Sequence, residues 1–187
     1  YCVDNEWRVS QTTKPYMPVT DSSTGEVIAE APCCTVDEVN SAVGAAKAAF
    51  PGWSTMPVQN RTAVMFRFRA LLDAHLEELA LSVSTELGKN VEEARGDIIK
   101  AMEVVEMACG APILMQGDAL MNVSTGHDTV MYREPLGVFA GIVPFNFPAM
   151  IPFGWMIPLC ITLGNTFVLK SASLTPMTSM RVLELLI

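Results

Sequence analysis

Between Glu134 and Lys170 the chain carries no formal charge, over residues 135–169. An unbroken apolar helix needs only about 20 residues to cross a bilayer, so hydropathy alone would flag this run. Its composition says otherwise. Pro135, Pro144, Pro148, Pro152 and Pro158, with Gly137, Gly141, Gly154 and Gly164, divide it into short pieces. Each proline fixes φ and removes a backbone donor. Leu136 to Val143 reads as a short apolar strand bounded by proline at both ends. Pro144-Phe145-Asn146-Phe147-Pro148 is a turn. Ala149 to Leu163 reads as an apolar helix, with Pro152 in its first turn and Pro158 bending it. Gly164-Asn165 caps that helix, and Thr166 to Lys170 is a second strand. The pieces form one βαβ unit, whose parallel strands are expected to be buried on both faces. Burial of that kind accounts for the missing charge without a membrane.

The remaining composition narrows the class. The 187 residues include 12 Lys+Arg and 20 Asp+Glu, a net charge of −8, and half are hydrophobic. The length supports one domain of ordinary size. The hydrophobic fraction excludes a disordered chain. The acidic balance argues against nucleic acid and anionic membrane as partners, because both need clustered Lys and Arg. Cys2, Cys33, Cys34, Cys109 and Cys160 are odd in number and contain no C-x-x-C. They read as reduced, small hydrophobes. His75 and His127 have no metal-ligand spacing with other residues, and no metal is expected. No basic segment followed by an apolar one opens the chain, so no secretory signal is read. The expected compartment is the cytoplasm, or the mitochondrial matrix in a eukaryote.

The first 134 residues hold nearly all the charge. Residues 1–31 read as short strands joined by turns, with Asp21 to Gly25 a turn cluster. Thr35 and Glu38 form a capping box, and Val36, Val39, Val43, Ala46 and Phe50 recur at helical spacing. Pro51-Gly52 is expected to stop that helix. A second is expected from Pro57 to Gly88, through His75, on the stripe Val64, Phe68, Leu71, Leu72, Leu76, Leu79 and Val83. A third runs from Val91 to Ala108. Met121 to Ser124 and Thr129 to Tyr132, flanking Gly126-His127-Asp128, read as a β-hairpin. Thr175-Pro176 opens a last helix, Met177 to Ile187. Its uncapped apolar end leads us to expect a truncated chain.

In an open α/β sheet, ligands sit beyond the carboxyl ends of the strands. Those ends here are Pro144-Phe145-Asn146 and Lys170-Ser171. Asn146 offers a neutral amide suited to a developing oxyanion. Lys170 offers a lone cation suited to a sugar hydroxyl or a phosphate. The plainer alternatives are that Asn146 satisfies turn backbone and that Lys170 reaches only water. No G-x-G-x-x-G or P-loop pattern occurs.

These motifs, in their order, resemble the amino-terminal part of an NAD(P)-dependent aldehyde dehydrogenase. The resemblance rests on Leu136-Gly137-Val138, Pro144 to Pro148, Gly164-Asn165-Thr166 and Lys170. It also takes in Thr24 to Ile28, Ala48 to Trp53 and Glu86-Leu87-Gly88-Lys89, so it covers nearly the whole chain. Gly96-Asp97 with Glu103 to Glu106, Tyr132-Arg133 and Pro144 to Pro152 are most similar to the CoA-acylating methylmalonate-semialdehyde dehydrogenase branch.

The resemblance implies an α/β fold, the amino-terminal part of a Rossmann-type cofactor domain. Residues 1–120 would supply that domain's first strands and helices. Residues 121–134 would be an oligomerisation hairpin, making the protein a homo-dimer or tetramer. Residues 135–187 would be the first βαβ unit, with the catalytic domain absent. It implies a cysteine nucleophile, a thioester and hydride transfer to NAD, NADP not being excluded. The acyl group would pass to CoA, or to water in other branches. Asn146 matches the oxyanion donor, and Ile142, Val143, Pro144 and Phe145 match the strand end that lines the cofactor. Lys170 matches the lysine that binds the adenosine ribose. The family's nucleophilic Cys and general-base Glu match nothing in the chain, and Glu86 belongs to an earlier helix end. Ser173 stands where NAD-using members often place Glu, which leaves NAD and NADP both open. Ser171 replaces a usual Pro. Lys100 stands where the branch tends to place an Arg for the substrate carboxylate. It keeps the charge without the bidentate fork.

Overall fold

A computed structural model describes all residues, Tyr1–Ile187. The chain opens with two antiparallel ribbons: β1 (Cys2–Val3) with β2 (Glu6–Trp7), then β3 (Met17–Thr20) with β4 (Val27–Ala31). Helix α1 (Val36–Thr55) follows, and the expected capping box forms. Thr35 Oγ1 accepts the Glu38 N–H at 3.3 Å, and the Glu38 carboxylate accepts the Thr35 N–H at 2.7 Å. The same carboxylate also takes the Ser10 hydroxyl (2.8 Å) and the Gln11 N–H (2.6 Å), which ties the amino-terminal ribbon to the helix.

Three expectations for the helices are corrected. Pro51-Gly52 does not stop α1. Proline costs the helix one donor, but the Ser54 and Thr55 hydroxyls bond the Pro51 carbonyl, and Trp53 Nε1 donates to Ile161 O at 2.7 Å. The stripe Val36, Val39 and Val43 is exposed, and Glu38 is the residue that α1 buries. The long helix to Gly88 is two: α2 (Val58–Ala74) and α3 (Leu76–Leu87), broken at His75, whose φ −107° and ψ 15° leave the helical region. Gly88, at φ 80°, ends α3 in the left-handed conformation.

Helix α4 (Val91–Cys109) is capped by Asn90, and a short α5 (Ala111–Leu114) follows it. The hairpin is β5 (Ala119–Ser124) with β6 (His127–Val130). Its turn is Thr125-Gly126, so His127 pairs with Ser124 rather than sitting in the turn.

The uncharged run folds as strand, helix, strand. β7 (Val138–Ile142) and β8 (Thr166–Lys170) pair in parallel, from Val138 opposite Thr166 to Ile142 opposite Lys170. The connection begins as a π-helical stretch, Met150–Met156, and becomes α6 (Ile157–Thr162). Pro152 and Pro158 lack the N–H groups that a regular α ladder would use there, and the turns widen between them. Burial on both faces is not found. Of β7 only Gly141 is buried, because its one partner is β8 and part of its surface faces solvent. No helix is long and apolar enough to cross a membrane.

Helix α7 (Pro176–Leu186) completes the chain. The core lies between α2, α3, α4, the π-helical stretch, α6 and α7, around Phe68, Leu72, Leu79, Ile98, Phe153 and Val182. Gly154 lets the π-helical backbone meet α4, since a Cβ there would lie 2.9 Å from Ala101 Cα. Arg61 is buried and meets no carboxylate. It donates to carbonyls at the carboxyl ends of α1 and α6, with Thr162 O at 2.9 Å.

Candidate active site

The parallel register brings the two strand ends together. Val143 N–H donates to Lys170 O at 3.2 Å, so the residues leaving β7 start beside the end of β8. Val143 is buried and anchors the strand end. Ile142 is 80% exposed and Phe145 50% exposed, and with Pro144 they form an apolar shelf open to solvent. The start of β7 is fixed by Asn165, whose Oδ1 accepts the N–H groups of Leu136 (2.7 Å) and Gly137 (3.0 Å). Its Nδ2 donates to Cys160 O at 3.2 Å.

Asn146 is exposed, and its side-chain amide makes no hydrogen bond within the chain. The plainer alternative, an amide consumed by turn backbone, is therefore not what the structure has. The turn is held by other groups. Phe145 O accepts the Thr175 hydroxyl at 3.0 Å, and Pro148 O accepts the Ser179 hydroxyl at 2.6 Å. Both hydroxyl residues are buried. The chain holds Asn146 by its neighbours and leaves its amide free.

Lys170 does not point alone into water. Its ammonium donates to Ser173 Oγ at 3.2 Å, and Ser173 is half-buried. A cation and a hydroxyl three residues apart are thus joined at the end of β8, beside the Ile142, Pro144 and Phe145 shelf. That donor set fits the hydroxyls or phosphate of a nucleotide ribose, and the shelf fits an apolar ring face.

Lys100 lies apart from these contacts on the exposed side of α4, where its ammonium bonds both Glu103 oxygens at 2.8 and 2.9 Å. Glu86 is buried at the end of α3 and caps α7, in keeping with the reading that it is not a catalytic carboxylate. Burial pushes the Cys2, Cys34, Cys109 and Cys160 thiols up, Cys160 to about 11. A raised thiol is a poor nucleophile at neutral pH. No group of His, Cys, Asp and Glu could hold a metal ion. Thr175, Ser179 and Asn165 had no chemical motif in the sequence, although Asn165 did stand out as a cap.

The parallel register thus gathers the free turn amide and the Lys170–Ser173 pair at one end of the two-stranded sheet. The chain belongs to the aldehyde dehydrogenase family, whose profile matches residues 7–187. It is 45% identical over 177 residues to the mitochondrial methylmalonate-semialdehyde dehydrogenase [acylating] of Arabidopsis thaliana, covering 95% of this chain and 29% of that one. It is 46% identical over 183 residues to malonate-semialdehyde dehydrogenase 1 of Geobacillus kaustophilus (strain HTA426), covering 98% and 37%. The methylmalonate-semialdehyde dehydrogenase structure from Oceanimonas doudoroffii superposes with a TM-score of 0.91 at 39% identity, over 95% of this chain and 36% of that one. A protein from Sinorhizobium meliloti 1021, described as a methylmalonate-semialdehyde dehydrogenase and complexed with NAD, gives 0.93 at 35% identity, over 98% and 37%. The chain spans about a third of the length of these relatives.

Proposed function

We propose that these residues supply the cofactor-side portion of an enzyme that oxidises an aldehyde with NAD(P). The substrate is methylmalonate or malonate semialdehyde, as the names of the relatives support. The observation that carries this reading is the pairing of a free Asn146 amide with the Lys170–Ser173 pair across two bonded strand ends. NAD, when bound, supplies the hydride acceptor. Lys170 and Ser173 hold its ribose hydroxyls or phosphate, and Ile142, Val143, Pro144 and Phe145 line it. Asn146 donates its N–H to the oxygen on which negative charge develops when a thiolate adds to the aldehyde. The acyl group leaves its thioester to CoA, a reading favoured by the acylating relative. Lys100 acts on a substrate carboxylate only by exchanging Glu103 for it. The hairpin, exposed throughout β5 and β6, forms an assembly surface for a homo-dimer or tetramer.

The test is turnover of methylmalonate semialdehyde by the full-length enzyme, with CoA present or absent and NAD compared with NADP. Acyl-CoA formed in step with NADH is expected. Free acid formed equally well without CoA would place the enzyme in a hydrolytic branch. No reduction of either nucleotide would remove the reading.

A further inference from the structure

The turn that carries Asn146 is held from outside the βαβ unit as well as by α7. Thr175 and Ser179 fix the backbone on either side of Asn146, at Phe145 O and Pro148 O. The third hold falls on the adjacent side chain. The Lys89 ammonium sits 3.7 Å from the centroid of the Phe147 ring. Lys89 is itself fixed, because its Nζ donates to Asp97 Oδ2 at 2.5 Å, and the two side chains are only 20% and 12% exposed. Its carbonyl accepts the Ser84 hydroxyl at 2.7 Å, just after Gly88 turns the chain out of α3. The same segment is docked onto the amino-terminal ribbon: Ser22 Oγ donates to Glu86 O at 2.8 Å, and Ser22 N–H to Thr85 O at 3.0 Å. A partly desolvated cation over an aromatic face is attracted to the ring, more strongly than one in open water.

We propose that Lys89, clamped by Asp97, is a positioning residue that aims the Asn146 amide by holding the Phe147 ring. The inference rests on the reading of Asn146 as the oxyanion donor. The Asn146 amide and the Phe147 ring turn about their own χ angles, but the two residues are joined by one peptide link. With Phe145 O and Pro148 O fixed, the links on either side of Phe147 are the part of the turn left free to shift, and a shift there moves the Asn146 Cα from which the amide projects. The Lys89 ammonium opposes it by holding the ring. A catalytic donor misplaced by an ångström loses much of its effect.

The test is a kinetic cycle in the full-length enzyme, normalised by titration of active sites. Lys89→Met keeps the stem and removes the charge. It is expected to lower kcat about 10–100-fold, since misaiming should cost less than removing the donor. The KM for the nucleotide should be nearly unchanged. Lys89→Arg keeps a cation over the ring and within reach of Asp97, and should restore most of the rate. Because Lys89 acts through Asn146, Lys89→Met added to Asn146→Ala should slow the enzyme no further. A multiplicative loss in the double variant would overturn the inference, as would an unchanged kcat in Lys89→Met alongside a slow Asn146→Ala. An unaffected Asn146→Ala would instead remove the oxyanion reading, and this inference with it. Should Lys89→Met fail to fold, Asp97→Asn releases the ammonium without deleting it and carries the same cycle.

Discussion

The Glu86 carboxylate, at the end of α3, accepts the backbone N–H of Thr178, in the first turn of α7, at 3.0 Å. It accepts the Met177 N–H as well, at 2.9 Å. Pro176 needs no partner at the first helical position, so one side chain satisfies the two donors that follow it. Thr175 itself makes no capping bond to α7. Glu86→Ala should therefore destabilise the chain by about 1–2 kcal/mol, the range of a lost helix cap. Urea unfolding of the two proteins measures the difference. Equal midpoints would show that α7 does not depend on this cap.

The same carboxylate should give stability a pH dependence. Burial pushes the Glu86 carboxyl above the usual carboxylate range, and the Thr178 hydroxyl and the two amides only partly offset this. The folded state then holds the proton more tightly than the unfolded chain. Stability from this group is full below the ordinary glutamate pKa and is lost as pH rises through the raised folded value. Wild type and Glu86→Gln, unfolded in urea from about pH 4 to about pH 8, should differ by an amount that shifts against wild type as pH rises. Glu77 and Glu78, held low by Arg95 and Arg181, are common to both proteins and cancel. A difference independent of pH would contradict the raised carboxyl.

The βαβ unit was legible in the sequence because proline and glycine cut an uncharged run at the points where the chain turns. The capping box of α1 was legible because Thr35 and Glu38 satisfy each other locally. Where α1 ends was not, since Trp53 continues it by reaching Ile161 O, 108 residues away. The break at His75 was hidden by an apolar stripe that runs through it unchanged. Exposure of Val36, Val39 and Val43 was hidden because periodicity tells which residues share a face, not what covers it. Asn146 and Lys170 could be found at strand ends, and Ser173 only through the family resemblance. That Lys89, Thr175 and Ser179 hold the turn around Asn146 could not be read, because such contacts arise only through tertiary packing.

Asn165 offers a sharper test of the strand unit than any apolar residue in it. It is only 8% exposed, and its three side-chain hydrogen bonds join the end of α6 to the start of β7. Asn165→Ala removes the acceptor of the Leu136 and Gly137 N–H groups, and because Leu136 is 86% exposed and Gly137 partly so, water can take its place. The expected loss is therefore that of ordinary hydrogen bonds, about 1–2 kcal/mol in all. Hydrogen exchange should quicken first at those two amides and then along β7. Uniform quickening across α2 to α4 instead would mean that Asn165 supports the core rather than the strand.

The thiols set the last expectation. A nucleophilic cysteine in an aldehyde dehydrogenase must reach its thiolate easily, as beside a cation or at a helix amino terminus. Cys160 lies the other way, pushed up to about 11 by burial, and Cys2, Cys34 and Cys109 are raised by the same cause. Cys33 lies in the connection between β4 and α1, not at the strand ends. The 187-residue chain, purified and supplied with semialdehyde, CoA and NAD, should therefore produce no NADH. Iodoacetamide at neutral pH should modify none of the five faster than it modifies glutathione. One cysteine that outpaced glutathione, with NADH formed and both lost on its replacement by serine, would place a nucleophile within these residues and require the site to be redrawn around it.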